Sequence, residues 1–305
     1  MIAVNDTVIH RMAGERVFGP GRDRHFHLDQ FVASVGGVPM AFFDDGPRDG
    51  EVIFFTHGLA GNVTHWVHIA PGFVDRYRVV GVDLPGCGET PPLASGYSIE
   101  AYTEQVLGLL DLLDIEKAYF VGHSLGGMVS MELYGKAKER VRGMLLVGSA
   151  GFMPVPKPAR AVGKLILREG LLKTLLPRVW QSILGTVFER DNEYTRQFRQ
   201  SIADTYDPVA DVAPIAAVMS GLKQDFLYRN YESMLDDLQV PLHLMWGQKD
   251  RLTPAALLPR LAARSEHIRV ELVAECGHMP IIETPHLVVQ AVERLIRETR
   301  RSARS

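Results

Sequence analysis

The chain has 305 residues, 46% of them apolar and 23% charged, which is ordinary for a folded soluble protein with one large domain. A formal net charge of −3 argues against a nucleic-acid partner, because such proteins usually carry a strongly basic face. No stretch approaches the roughly 20 apolar residues needed to cross a bilayer, and two cysteines are too few for a disulfide framework.

The first regular elements begin near residue 31. FVASVGGVPMAFFDDG predicts two strands around a Gly36-Gly37 turn. EVIFF, RYRVVGV, KAYFVGH and GMLLVG are short apolar runs, which are typical of strands covered on both faces. Helical spacing lies between them, from Ser98 to Leu113 and in LGGMVSMELYGKAKER. This α/β alternation predicts a mostly parallel central sheet with helices on both faces.

Residues 152–238 interrupt the alternation. They contain helical segments such as AVGKLILREGLLKTLL and RVWQSILGTVF, separated by prolines that include Pro177, and no convincing strand. Strand and helix alternate again from PLHLMWGQ onward. We therefore predict a helical cap at 152–238, inserted between two strands of a core formed by 31–151 and 239–305. Residues 1–30 form an N-terminal extension, for which disorder, bracing of the core and dimer contact all stay open.

GHSLG, residues 122–126, matches the G-x-S-x-G pattern of a nucleophile elbow, with a predicted strand before it and a helix after it. A sharp strand-to-helix turn brings backbone segments close together. Glycine is expected on each side of the serine because any side chain there would clash with the neighbouring backbone. Ser124 is therefore the candidate nucleophile. The Leu125 N–H at the start of the helix is a candidate donor to a developing oxyanion.

A serine hydroxyl needs a base, and the base needs an orienting group. Asp250 follows the strand LHLMWGQK and His278 follows the strand VELVAE, so both are expected at the carboxyl edge of the sheet. The order serine, aspartate, histidine is the one associated with this elbow. In THGLAGN, Gly58 permits close backbone approach and the Leu59 N–H is the second oxyanion donor. His57, Gly58, His123 and Met279 are predicted to contact substrate.

Five motifs in order resemble those of the α/β-hydrolase superfamily: THGLAGNVTHW, DLPGCGET, GHSLGG, WGQKDRLTP and CGHMPIIETP. The resemblance runs from about Phe31 to Thr299 and implies the α/β-hydrolase fold. It implies Ser124 as nucleophile, His278 as general base and Asp250 as its orienting acid. Cys87 departs from the pattern, since relatives often carry histidine or an aromatic residue there. Haloalkane dehalogenases and epoxide hydrolases of this superfamily resemble the chain but carry an aspartate at the elbow. The serine here therefore disfavours both activities.

The resemblance favours a cytoplasmic serine carboxylesterase or lipase-like enzyme acting on small to medium apolar esters. Three alternatives stay open: hydrolysis of a carbon–carbon bond in a ring-cleavage diketone, acyl transfer, and a slow-turnover ligand receptor. The expected partner is a small-molecule ester, without a metal, an organic cofactor, a nucleic acid or stable membrane insertion; a homodimer is left open. The apolar face of the cap is expected to pack on the core. Lining a pocket over Ser124 is the alternative role, and lipid contact is a weaker one.

Overall fold

A computed structural model of the chain describes residues 2–4, 7–11, 28–205 and 212–302. Its strands are β1 (Ile2–Val4), β2 (Thr7–Arg11), β3 (Gln30–Val35), β4 (Val38–Asp45), β5 (Val52–Thr56), β6 (Arg78–Val82), β7 (Ala118–His123), β8 (Val141–Val147), β9 (Leu242–Gly247) and β10 (Ile268–Val273). Its helices are α1 (Ile99–Leu112), α2 (Leu125–Lys136), α3 (Lys157–Ile166), α4 (Glu169–Val187), α5 (Glu193–Thr205), α6 (Val212–Gly221), α7 (Lys223–Tyr228), α8 (Leu258–Ala262), α9 (Pro280–Glu283) and α10 (Pro285–Ser302).

The strands form one twisted sheet in the order β1-β2-β3-β4-β6-β5-β7-β8-β9-β10. Strands β1 to β4 pair antiparallel, and β6, β5, β7, β8, β9 and β10 pair parallel. The parallel strands β5, β6 and β7 are buried along their whole length, because α1 and α2 cover one face while the segment 63–77 and α10 cover the other. The predicted fold class, a mostly parallel sheet with helices on both faces, is confirmed.

Two strands lie in a segment for which the sequence predicted no element. Strand β2 pairs antiparallel with β3, with His10 opposite Val32, and β1 pairs with β2. Ile9 on β2 is buried in the core. The described part of the N-terminal extension therefore extends the sheet at its edge; residues 12–27 lie outside the described residues.

The prediction that Pro177 separates two helices is wrong. Helix α4 continues through this proline, although a proline inside a helix removes one backbone hydrogen bond. The break lies instead at Leu167 and Arg168, between α3 and α4. Gly163 and Gly170 flank the break, and each weakens a helix by about 1 kcal/mol relative to alanine, so the chain is least helical there.

Helices α3 to α7 lie between β8 and β9, and a small apolar cluster of their own is formed by Leu172, Leu176, Val212 and Ala216. Arg229, at the end of α7, ties this helical segment to the core. Its guanidinium forms ion pairs with Glu132 on α2 at 2.7 Å and with Glu100 on α1, and it also pairs with Asp225. A planar guanidinium with several donors suits such a junction. None of the described helices is long and apolar enough to span a bilayer.

Candidate active site

Ser124 stands between the last residue of β7 and the first residue of α2. Its backbone has φ 51° and ψ −110°, a strained conformation for a residue with a side chain. Hydrogen bonds hold the turn in place: the Ser124 N–H donates to Val147 O at 3.0 Å, and the Ala150 N–H donates to Ser124 O at 3.2 Å. These contacts with the end of β8 fix the serine at the carboxyl edge of the sheet.

The glycines around the serine are required by close backbone packing, as predicted. A Cβ on Gly126 would lie 2.1 Å from Thr56 O, at the end of β5. A Cβ on Gly122 would lie 2.5 Å from Gly126 O. Both separations are far below contact distance, so a larger residue at either position would force α2 away from the sheet.

Asp250 and His278 meet at this same edge. Asp250 Oδ2 lies 2.8 Å from His278 Nδ1, and both side chains are buried. Gly148 connects this pair to the serine, since it follows Val147, the acceptor of the Ser124 N–H. A Cβ on Gly148 would lie 3.3 Å from His278 Nδ1 and 3.4 Å from Asp250 Oδ2. The structure therefore brings all three predicted catalytic side chains to one end of the sheet.

Asp250 is held by a dense set of donors. Its Oδ1 accepts the N–H groups of Leu252 and Thr253 at 2.8 and 2.9 Å, and its Oδ2 accepts the Thr253 hydroxyl at 2.7 Å. Burial alone would raise the pKa of Asp250, but the His278 bond and charge and the Thr253 donors outweigh it and place the pKa below its ordinary value. The carboxylate is therefore ionised at neutral pH, and it can orient His278 through Nδ1.

The predicted oxyanion residues flank the serine. Gly58 backs directly onto it, because a Cβ on Gly58 would lie 3.2 Å from the Ser124 Cβ. Leu59 follows Gly58 in the chain. Leu125 is the first residue of α2, so its N–H precedes the intrahelical hydrogen-bond ladder and is available to another acceptor.

All four residues predicted to contact substrate are buried, and three of them have clear structural contacts. The His57 Nε2 accepts the Leu84 N–H at 3.0 Å, and its Nδ1 lies 2.7 Å from Gly58 O, so the ring joins two loops. The His123 Nε2 lies 2.9 Å from His278 O and supports the backbone of the histidine loop. Met279 packs in the apolar core beneath the sheet. These contacts give the three side chains structural roles, and their contact with substrate stays a prediction.

Glu283 is a site residue that sequence reasoning missed. It is buried on α9, and its Oε1 accepts the Gly277 N–H at 2.9 Å. Its Oε2 accepts the N–H groups of Glu189 and Arg190 at 3.0 and 2.8 Å. The carboxylate thus ties the loop that carries His278 to the segment after α4. The only sequence signal is a glutamate within the histidine-loop motif.

Replacing Glu283 with alanine is expected to lower the free energy of unfolding by about 4 kcal/mol, because three buried N–H groups lose a charged acceptor. Urea unfolding followed by circular dichroism measures this. The matched control is Glu293→Ala, which removes a partly exposed ion pair with Arg76 and is expected to cost at most about 1 kcal/mol. Equal effects of the two substitutions would contradict the role given to Glu283.

Buried histidines are expected to make the protein sensitive to acid. Burial lowers the pKa of His57 to about 4 and that of His65 to about 3, and it lowers the pKa of His123 well below its ordinary value. Below pH 6.5 the unfolded chain binds protons that the folded protein does not, so stability falls as the pH drops from 6.5 toward 4. His57 alone accounts for about 3 kcal/mol of this loss.

The acid transition can be followed by circular dichroism between pH 7 and 3. His65→Gln is expected to move its midpoint to lower pH, because glutamine cannot take up a proton. His267→Gln, at an exposed ring, is the matched control and is expected to leave the midpoint in place. A midpoint that does not respond to His65→Gln would argue against buried histidines as the cause.

A cavity of about 440 Å³ lies beside the Gly58 loop, between the core and the helical segment. Its core wall is polar and includes Asn62, Thr64 and His65. Its opposite wall is largely apolar and consists of residues from α5 and α6, namely Phe198, Ser201, Ile202, Pro214, Ile215 and Val218. Ala60, two residues after Gly58, lines the cavity, so the cavity adjoins the Gly58 loop. Ser124 itself is not among its lining residues.

A strained serine at a strand-to-helix turn, with an aspartate–histidine pair on neighbouring strand ends, defines the active-site architecture of serine hydrolases built on an open α/β sheet. Residues 51–285 match the alpha/beta hydrolase fold family, which is about three quarters of the chain. The chain belongs to this family.

The relatives of this chain are named for several different activities. The chain is 28% identical to the dihydrolipoyllysine-residue acetyltransferase component of an acetoin cleaving system from Pseudomonas putida, over 96% of this chain and 76% of that protein. It is 28% identical to a pimeloyl-[acyl-carrier protein] methyl ester esterase from Aeromonas hydrophila, over 85% and 99%. Among solved structures, a thermophilic esterase from Thermogutta terrifontis superposes with a TM-score of 0.72 at 22% identity, over 86% and 94% of the two chains, a likeness of fold.

Proposed function

We propose that the protein is a serine hydrolase that cleaves carboxylic esters of small to medium apolar acyl chains through an acyl-enzyme. The observation that carries the proposal is that Ser124 and the Asp250–His278 pair lie at the same edge of the sheet, both beside the end of β8 at Val147 and Gly148. The esterase from Aeromonas hydrophila, at 28% identity over nearly its full length, supports ester chemistry.

In this mechanism the Ser124 Oγ attacks the ester carbonyl carbon while His278 Nε2 accepts the hydroxyl proton. Asp250, ionised and bonded to His278 Nδ1, stabilises the imidazolium that results. The N–H groups of Leu59 and Leu125 donate to the oxyanion of the tetrahedral intermediate. Collapse of the intermediate releases the alcohol, which takes the proton from His278.

Water then attacks the acyl-enzyme by the same steps, with His278 again as the base, and the acid is released. The cavity beside the Gly58 loop is the proposed site for the apolar part of the ester, since its helical wall presents apolar side chains.

The test is hydrolysis of p-nitrophenyl esters from acetate through palmitate by the wild-type protein. We expect activity that peaks at short or medium chains, with turnover faster than about 1 per second on the best ester. Absence of activity on every ester, from protein with native circular dichroism, would overturn the proposal. Ring-cleavage diketones and then ligand binding would be tested next.

Acyl transfer is the second candidate, because the relative from Pseudomonas putida is named as an acetyltransferase component. The acyl-enzyme is common to both reactions, so they differ only in whether water or another nucleophile attacks it. The same assay with a primary alcohol present distinguishes them: hydrolysis predicts mostly free acid, and transfer predicts mostly the new ester.

A further inference from the structure

The helical segment carries an unusual concentration of exposed apolar side chains. Ten large apolar residues are exposed among the described residues, and six of them lie between 153 and 179: Met153, Val162, Leu165, Ile166, Leu175 and Val179. We call the exposed part of residues 153–179 the cap surface. Single exposed apolar residues are normal, but a cluster on consecutive helices indicates contact with another molecule.

Helix α3 presents its apolar side to solvent rather than to the protein. Val162, Leu165 and Ile166 follow the i, i+3, i+4 spacing of one helix side, and they are 56%, 52% and 45% exposed. Gly163 lies about 100° around the helix from Val162 and packs on α7, where a Cβ would lie 2.6 Å from Leu227 Cδ2. Since α3 is held by its glycine side, its apolar side faces outward.

The cap surface is also strongly basic. Residues 153–179 contain six basic residues and one acidic residue, a net charge of +5, in a chain whose total is −3; the rest of the chain therefore carries −8. Lys157 and Lys164 are exposed and lie on the side of α3 opposite its apolar side, since Lys164 is about 200° around the helix from Val162. Arg160 and Lys164 lie over the Tyr228 ring, at 4.7 and 5.2 Å from its centre, which keeps these cations beside an exposed aromatic ring.

From these observations we infer that the cap surface docks the protein onto an anionic lipid bilayer, with the apolar side of α3 in the interface and the long lysine side chains of its polar face reaching the headgroups. An amphipathic helix with an exposed apolar face and a polar face rich in lysine and arginine is the arrangement that binds anionic membranes. A second copy using the same surface is disfavoured, because a two-fold contact would place two surfaces of +5 against each other. The inference goes beyond the proposed function and does not depend on it.

The experiment is flotation of the full chain with vesicles of phosphatidylcholine alone or containing about a quarter phosphatidylglycerol. We expect at least about tenfold stronger binding to the anionic vesicles, and most of it lost at about 0.5 M salt. Equal binding to both vesicles, or no binding, overturns the inference.

Matched variants test which surface is responsible. Leu165→Asp is expected to weaken vesicle binding by at least about tenfold. The control Leu272→Asp, on β10 with a side chain 50% exposed, is expected to have no effect. Lys157→Gln combined with Lys164→Gln should weaken binding by about 25-fold. The same double change at Lys117 and Lys138, which are exposed on the surface of the α/β core, should leave vesicle binding unchanged.

The controls also separate the alternatives. Equal losses in the cap and core variants overturn the inference, as does a concentration-dependent dimer that Leu165→Asp dissociates without any vesicle binding by the wild type. Hydrolysis of a soluble p-nitrophenyl ester is expected to be unchanged in all four variants. Failure of vesicle binding is therefore distinguishable from failure of the proposed esterase function.

Discussion

Replacing Ser124 with alanine is expected to lower kcat/KM for p-nitrophenyl esters by at least about 10⁴-fold, because the only atom removed is the proposed nucleophile. The alanine keeps the Cβ, so the bonds of the Ser124 backbone to Val147 and Ala150 should be retained. The measurement is steady-state hydrolysis of the best ester of the series, with circular dichroism to verify the fold.

Two further variants make this result specific. Ser130→Ala removes a buried hydroxyl further along α2 that donates to Gly126 O. Its kcat/KM should stay within about threefold of the wild-type value. Ser124→Gly should be as inactive as Ser124→Ala yet more stable by about 1 kcal/mol, because glycine accepts a φ of 51° without strain. Retention of activity in Ser124→Ala would rule out the proposed nucleophile.

The core sheet was predictable because its parallel strands are buried on both faces. Such strands read as short, continuous apolar runs, and EVIFF and KAYFVGH correspond closely to β5 and β7. The helix boundaries of the segment 152–238 were harder to predict, because a proline is only a statistical signal for a helix end. Pro177 lies inside α4, and the real break at Leu167 and Arg168 is marked only by Gly163 and Gly170, each a weaker helix breaker than proline.

The site was predictable to the extent that its residues belong to local motifs. Ser124, Asp250 and His278 each follow a recognisable strand, so their meeting at one edge follows from the topology. Glu283 was missed because two of its three partners lie more than 90 residues earlier in the chain. The contacts of His57 with Leu84 and of His123 with His278 could not be predicted either, because they join segments that meet only on folding.

Asp250→Asn is expected to lower kcat by about 10³- to 10⁴-fold with a small change in KM. An amide cannot stabilise the imidazolium as a carboxylate does, and it can bond to His278 in the wrong tautomer. The N–H groups of Leu252 and Thr253 favour this outcome, since both donate to the Asp250 Oδ1 position and will hold the amide oxygen, an acceptor, there. The amide nitrogen then occupies the Oδ2 position, where it faces His278 Nδ1 and the Thr253 hydroxyl.

A graded series tests that argument. Thr253→Val removes one of the donors to Asp250 but leaves the carboxylate, so we expect a loss in kcat of about tenfold. Asp225→Asn changes a buried aspartate bonded to Arg229, away from the site, and should lower stability without lowering kcat by more than about threefold. If Asp225→Asn were as damaging to kcat as Asp250→Asn, loss of fold rather than loss of the charge beside His278 would explain both.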